Sequence, residues 1–282
     1  MQIECRGASY LYEIPSHEWA LADIDLTITQ GEKIAIAGPA GSGKTTLIQM
    51  LDALILPTRG DILFDGVSVR RLTKTRKLTS LRRRIGVLFQ FPEHQFFMET
   101  AYDELAFAAR NFLGPDEAMI EQRAREILQK FQMEFDQLRH LSPFNLSSGE
   151  KRKLALASAL MMSPEILILD EPTAGMDAAG RRELIRYISS FEHTTVILVT
   201  HNIEDFVGIV DRIIGISGGR KVIDVNRQAL MDHVDAMEAA GIDPPLVLKI
   251  QHWLKKEGIV LDTKSYEMES LIHSLKKLLE IL

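Results

Sequence analysis

The stretch Gly38-Pro39-Ala40-Gly41-Ser42-Gly43-Lys44-Thr45 decides how this chain folds. It satisfies the pattern GxxxxGK[ST]. A short apolar run, 33–37, precedes it, and a helix-period segment, 46–54, follows. Strand, glycine-rich loop and helix in that order point backbone N–H groups at one spot on a helix N-terminus, which suits a phosphate. Lys44 supplies positive charge for β- and γ-phosphates, and the Thr45 hydroxyl supplies a ligand for Mg²⁺.

Outward from this loop, short apolar runs alternate with longer helix-period segments, predicting an α/β fold with a mostly parallel core sheet. Runs at 33–37, 85–89, 166–169, 195–200 and 212–216 are rich in Val, Ile and Leu and read as strands covered on both faces. Peripheral, shorter strands are expected around Ile3, Leu26 and 62–64, with Asp65-Gly66 marking a turn. From about 92 to 145 helical patterns replace the strand signal, broken at Gly114-Pro115. They predict a helical insertion continuing to about 160. After about 225 the character changes, and Asp243-Pro244-Pro245 interrupts the helices. Met268, Leu271, Ile272, Leu275, Leu278, Leu279 and Leu282 then follow 3–4 spacing, with Ser265 as N-cap. Such a stripe either covers its own domain or packs against a second subunit. The chain therefore divides into 1–225 and a small helical extension, 226–282.

Composition narrows the function. Lys and Arg total 33 against 39 Asp and Glu, a net charge of −6, which argues against a general nucleic-acid binder. A single cysteine, Cys5, makes no internal disulfide, so an intracellular chain is expected. The N-terminal MQIECRGASY lacks the apolar stretch of a secretion signal, and no run reaches the roughly 18 to 20 apolar residues that span a bilayer. A membrane-bound partner remains open. The histidines lack zinc spacing.

Two further motifs carry chemistry. The run 166–171 reads Ile-Leu-Ile-Leu-Asp-Glu, a buried strand ending in two carboxylates. At the carboxyl edge of such a sheet, Asp170 would lie beside the phosphate loop and hold Mg²⁺ through water, while Glu171 would act as general base on the attacking water. Leu146-Ser147-Ser148-Gly149-Glu150 precedes the basic run Lys151-Arg152-Lys153. Ser147 and Gly149 stand before a helix, where hydroxyl and N–H groups bind an anion.

Taken in order, the phosphate loop, Gln90 after a strand, LSSGE, LILDEPTAGMD and His201 resemble the motif series of ABC-type ATPases, a family of P-loop NTPases, over about residues 3–220. The signature departs from the commonest form, LSGGQ, at Ser148 and Glu150. The resemblance implies that ATP is held by the loop from Gly38 to Thr45, with Pro39, Ala40 and Ser42 within it, Thr46 behind it, and Tyr12 stacking on adenine. Tyr10 and Trp19 lie close enough in sequence to compete for that last role. It implies that Ser147, Ser148, Gly149 and Glu150 act on the ATP of a second subunit in a head-to-tail dimer, with Asp177 in the loop crossing that interface. Gln90, Thr45 and Asp170 would hold Mg²⁺, and Glu171, His201 and Gln90 would serve catalysis.

A narrower resemblance rests on 89–97 (FQFPEHQFF), Asp103-Glu104-Leu105-Ala106-Phe107, Asn111 and Ser142-Pro143-Phe144, which are similar to energy-coupling-factor (ECF) transporter ATPases. It implies an importer of vitamins or transition-metal ions. The expected partners are a transmembrane coupling subunit, a membrane-embedded substrate-binding subunit and a second ATPase, identical or related. The chain would sit peripherally on the cytoplasmic face of the cell membrane. The alternatives are an ATPase of another ABC importer class or a soluble, non-transport ABC ATPase. Phe91, Phe96, Phe97 and Met98 either form a groove for a partner's helix or pack the insertion's own core. Arg70, Arg71, Lys74, Arg76, Lys77, Arg82, Arg83 and Arg84 form either a solvated helix face or a surface for anionic lipid or an acidic partner.

Overall fold

A computed structural model describes residues 1–13, 18–73, 77–114, 116–259, 261, 266 and 268–279, the side chains of 278 and 279 excepted. Lys74, Arg76, Pro115, Ser265, Leu282 and the side chains of Leu278 and Leu279 thus lie outside the described residues. Strands β1 (Ile3–Leu11), β2 (Trp19–Ile28), β4 (Arg59–Phe64) and β5 (Val67–Ser68) form an antiparallel sheet in the order β2-β1-β4-β5. The Asp65-Gly66 turn joins its last two strands. The second sheet contains β3 (Lys33–Ala37), β6 (Ile85–Leu88), β7 (Ile166–Asp170), β8 (Thr195–Thr200), β9 (Arg212–Ser217) and β10 (Arg220–Asn226). Its order is β10-β9-β3-β8-β7-β6, parallel except at the β9–β10 edge.

The uninterrupted apolar strands are explained by what covers them. Successive strand side chains point to opposite faces. Ala35, Ala37, Leu167, Leu169, Val196 and Leu198 therefore enter one core with the helical insertion. Ile34, Ile36, Ile166, Ile168, Ile197 and Val199 enter the other, beneath the antiparallel sheet and the helix after the phosphate loop.

The helices are α1 (Lys44–Leu51), α2 (Val69–Thr73), α3 (Lys77–Arg82), α4 (Ala101–Phe112), α5 (Glu117–Lys130), α6 (Phe135–Leu138), α7 (Ser148–Leu160), α8 (Ala178–Ser189), α9 (Val234–Ala239), α10 (Leu246–Lys256) and α11 (Met268–Leu279). Thr100 and Asp116 cap α4 and α5 by accepting backbone N–H bonds from Asp103 and Met119. Helices α4 to α7 make up the insertion and bury Ile120, Ala124, Leu128, Leu154 and Ala157 in their common core.

Several expectations change on folding. The antiparallel edge strand β10 was not marked in the sequence, because only Ile223 and its partly covered neighbours hint at a strand. The Gly218-Gly219 hairpin before it, at φ 53° and 72°, was the available signal. The aromatic cluster divides: Phe96 is buried, edge-on to Phe144, whereas Phe91 and Phe97 are more than half exposed. Three residues of the basic stretch are tied down within the chain. Arg70 and Arg82 donate to the carbonyls of Pro57 and Ala53, and Arg84 pairs with Glu165 at 2.6 Å and Asp65 at 2.9 Å. In the extension, Leu230, Val234, Met237, Ile242 and Leu248 join the insertion-side core. Along α11 Leu271 is buried, yet Ile272 is exposed.

Candidate functional site

The phosphate loop leaves β3 at the carboxyl edge of the core sheet and turns into α1. Its glycines are required at specific points. A Cβ on Gly38 would fall 2.0 Å from the carbonyl oxygen of Ile216, and one on Gly43 (φ 103°) 2.4 Å from that of Ala20. Lys44 Nζ donates to the carbonyls of Gly38 and Pro39, both at 2.8 Å, and so lies folded within its own loop. Burial lowers its pKa, and the charges of Glu171 and Asp170 oppose that shift. Ser42 is buried with its Oγ unpaired, and the space at Gly41 is open. An orphaned hydroxyl beside an open, lysine-bearing cradle fits a phosphate chain.

Strands β7 and β8 are parallel neighbours, so Asp170, Glu171 and His201 arrive at one edge together. Asp170 is buried, and its pKa is pushed up to about 6 by burial and by Glu171, against the pull of Lys44 and Arg152. Glu171 is only 8% exposed and adopts a left-handed backbone, φ 48°. Its Oε1 accepts the His201 backbone N–H at 2.8 Å and lies 2.7 Å from His201 Nδ1. Its Oε2 accepts from Thr200 Oγ1 at 3.3 Å. The His201 ring itself is 72% exposed.

Thr45, Gln90 and Asp170 line one cavity of about 420 Å³ with Gln49, His94 and Gln95. A buried carboxylate, a hydroxyl and an amide oxygen around one space suit Mg²⁺, which takes few protein ligands and completes its shell with phosphate and water. Among the described residues, no three His, Cys, Asp or Glu side chains cluster as metal ligands. The Tyr12 hydroxyl lies 3.3 Å from Thr46 Oγ1, beside the loop. Tyr10 is packed against the core and Trp19 lies under the Arg59 guanidinium, 4.8 Å from its ring centre. Of the three aromatics, Tyr12 is thus the one tied to the phosphate-loop helix.

The signature opens α7 as a capping box. Ser147 Oγ accepts from Glu150 N–H at 3.3 Å, while Glu150 Oε2 accepts the Ser147 N–H at 2.9 Å and its hydroxyl at 2.6 Å. Those bonds hold the Glu150 carboxyl below the usual carboxylate range. Glutamate at this position therefore performs the reciprocal cap as glutamine would. Ser147, Ser148, Gly149 and Asp177 line a separate cavity of about 880 Å³, away from the phosphate loop. Asp177 caps α8, accepting from Gly180 N–H at 2.7 Å. Within one chain the predicted residues thus form two groups, one around Lys44 and Glu171 and one around Ser147. Sequence reasoning missed Thr200, a strand-terminal hydroxyl whose only signal was its place before His201. It also missed Gln95, whose Oε1 accepts from Phe89 N–H at 3.2 Å and anchors the turn carrying Gln90.

A sequence profile described as ABC transporter matches residues 21–174, the span from β2 through the phosphate loop and signature to the carboxylate pair. The chain belongs to the ABC transporter family. Within that family it is 38% identical to an energy-coupling factor transporter ATP-binding protein, EcfA2, of Bacillus cereus, over 96% of this chain and 93% of the relative. The EcfA2 protein of Clostridium tetani is 35% identical over 99% and 96%. Among solved structures, cbiO1 of Clostridium perfringens, described as part of the ABC transporter complex cbiONQ, superposes with a TM-score of 0.70 at 29% identity. It covers 88% of this chain and 97% of its own. The ABC cassette MJ0796, a dimer in a post-hydrolysis state bound to ADP and Pi, gives 0.71 at 26% identity, covering 80% and 98%. The ABC fold expected from the motifs is therefore the fold found.

Proposed function

We propose that this chain is the ATP-hydrolysing subunit of an energy-coupling factor importer. One observation carries the catalytic part: the Glu171 carboxylate is fixed by His201 and Thr200 at the same sheet edge as Lys44 and Asp170. ATP binds with its phosphates along 38–45 and its adenine against Tyr12. Thr45, Gln90 and Asp170 would hold Mg²⁺, which would supply charge neutralisation to the phosphates. Glu171 accepts a proton from water while the water oxygen bonds to the γ-phosphorus and the bridging bond to ADP breaks, with His201 keeping the carboxylate in place.

The separation of the Ser147 group from the Lys44 group supports a head-to-tail dimer in which each signature completes the other subunit's site. The dimeric MJ0796 structure is consistent with that arrangement. Asp177 stands at the same cavity as the signature and is assigned to the crossing loop. Residues 226–282 form the extension, with exposed Ile272 available for a dimer contact. No described helix is long and apolar enough to cross a membrane. In this reading a transmembrane coupling subunit supplies the membrane attachment, with the chain on the cytoplasmic face. A membrane-embedded subunit would select the solute, a vitamin or a transition-metal ion. Exposed Phe91 and Phe97 offer the apolar side chains for a coupling helix.

Gentle detergent purification of the chain from its native membranes, with mass spectrometry of what accompanies it, tests this reading. A coupling subunit and a small membrane-embedded binder should co-purify. Ribosomal or chromosomal proteins without any integral membrane protein would overturn the transport role.

A further inference from the structure

Arg152 lies in α7, in the first turns after the signature, and is only 7% exposed. It shares its helix face with buried Ala155 and Leu156. An arginine on such a face loses its water and needs partners for its fork of N–H donors. The partners found are both main-chain carbonyls. Nη1 donates to the carbonyl of Glu171, and Nη2 donates to that of Gln90 at 2.9 Å. No carboxylate of the described residues forms an ion pair with it, although the charges of Glu93, Glu171 and Asp170 all favour its charged form against burial.

These two carbonyls belong to different elements. Glu171 follows β7 and carries the left-handed backbone that turns its side chain towards His201. Gln90 follows β6 and lines the cavity shared with Thr45 and Asp170. A planar guanidinium presents its N–H groups at fixed angles, so seating both bonds fixes the two turns relative to each other and to α7. A lysine, with one charged point on a flexible stem, would hold only one of them well.

We infer that Arg152 is a positioning residue, the strut through which the signature helix sets the Glu171 and Gln90 turns for hydrolysis. The inference rests on the proposed ATPase role of Glu171. When the signature engages the second subunit's nucleotide, a shift of α7 is transmitted by Arg152 to the backbone behind the base, with no intervening loop. Lys151, Lys153 and Arg123 lack this geometry. Lys153 bonds to the Phe131 carbonyl and Glu183, and Arg123 to carbonyls at 160–161 and to Ser163.

The experiment uses the full chain with its dimer partner. Nucleotide affinity is measured with a fluorescent ATP analogue, kcat and KM by phosphate release, and folding by thermal unfolding. Arg152→Ala should lower kcat about 10- to 100-fold, the scale of a misplaced catalytic group, with KM and nucleotide affinity within about threefold of wild type. Arg152→Lys should recover part of kcat, and it stands in if the alanine variant does not fold. A kcat within twofold of wild type in a folded Arg152→Ala, or equal losses of kcat and nucleotide affinity in both variants, overturns the inference. Wild-type and Glu171→Gln proteins run alongside. If Glu171→Gln abolishes turnover while a folded Arg152→Ala keeps kcat within twofold of wild type, only the strut falls; if wild type hydrolyses nothing, the ATPase reading itself falls.

Discussion

The Oε1 atom of Glu171 is met twice by His201, by the backbone N–H at 2.8 Å and by Nδ1 at 2.7 Å. The first bond depends on the main chain at the end of β8, and only the second depends on the ring. Removing the ring leaves the carboxylate bonded to the backbone N–H and to Thr200 but takes away one of the two contacts that fix Oε1, so the base is held in the fold yet no longer aimed. His201→Ala should keep nucleotide affinity and melting temperature, since the ring is mostly exposed, and lower kcat by about 10²-fold or more. Phosphate-release kinetics alongside thermal unfolding checks this.

Glu171→Gln keeps the shape of the clamp, because the amide oxygen still accepts from the His201 N–H and the amide N–H₂ turns to the Thr200 hydroxyl. The amide cannot take up a proton at neutral pH. Turnover should fall by about 10²- to 10⁴-fold while ATP still binds and holds the dimer closed, read by size-exclusion chromatography with ATP. Unchanged turnover would remove Glu171 as the base.

Lys44 bonds to its own loop carbonyls, and binding ATP would exchange those bonds for phosphate oxygens. Lys44→Ala removes that exchange. Affinity for a fluorescent ATP analogue should fall at least tenfold, the worth of one charge-assisted phosphate contact of about 1.5–3 kcal/mol. Wild-type affinity in this variant would count against the loop as the nucleotide site.

Ser147 lines a different cavity from the one that holds Thr45 of its own phosphate loop. Ser147→Ala breaks the capping box, which costs about 1 kcal/mol of helix stability. Nucleotide titration of the isolated subunit should be unaltered, whereas ATPase activity of the dimer drops. A parallel loss in both measurements would argue that signature and loop serve one site within a single chain.

Asp52 caps the C-terminal end of α1, where burial pushes its carboxyl up to about 7 against the pull of Arg82. Between about pH 4 and pH 7 the folded chain holds a proton that the unfolded chain has released. Its contribution to stability is thus complete below about pH 4 and lost as pH rises through 7. Asp52→Asn should leave stability at pH 4 near wild type and raise it by about 1–3 kcal/mol at pH 8. Urea unfolding across that range tests the slope.

The chain's own order of residues was enough for the phosphate loop, the carboxylate pair, the signature before a helix and the five main strands. Each depends on neighbours within a few positions: a glycine spacing, an apolar run and its polar end, a polar turn ahead of a helical run. The order of those strands, and hence the contact of Glu171 with His201, came only with the tertiary structure; the family resemblance implied no more than a shared catalytic role for the two residues. Physical pattern alone does not state which strands are neighbours. Tertiary structure alone decided that Tyr12 rather than Tyr10 or Trp19 stands by Thr46, that Phe96 turns inward while Phe91 and Phe97 stay out, and that Arg70, Arg82 and Arg84 of the basic stretch are spent on carbonyls and carboxylates of the same chain. It also decided the role of Arg152, one member of a basic run on paper and a buried bridge in space. The physical reason is the same throughout. A motif's chemistry is local in sequence, but burial and hydrogen-bond satisfaction are set by whatever distant segment packs against it.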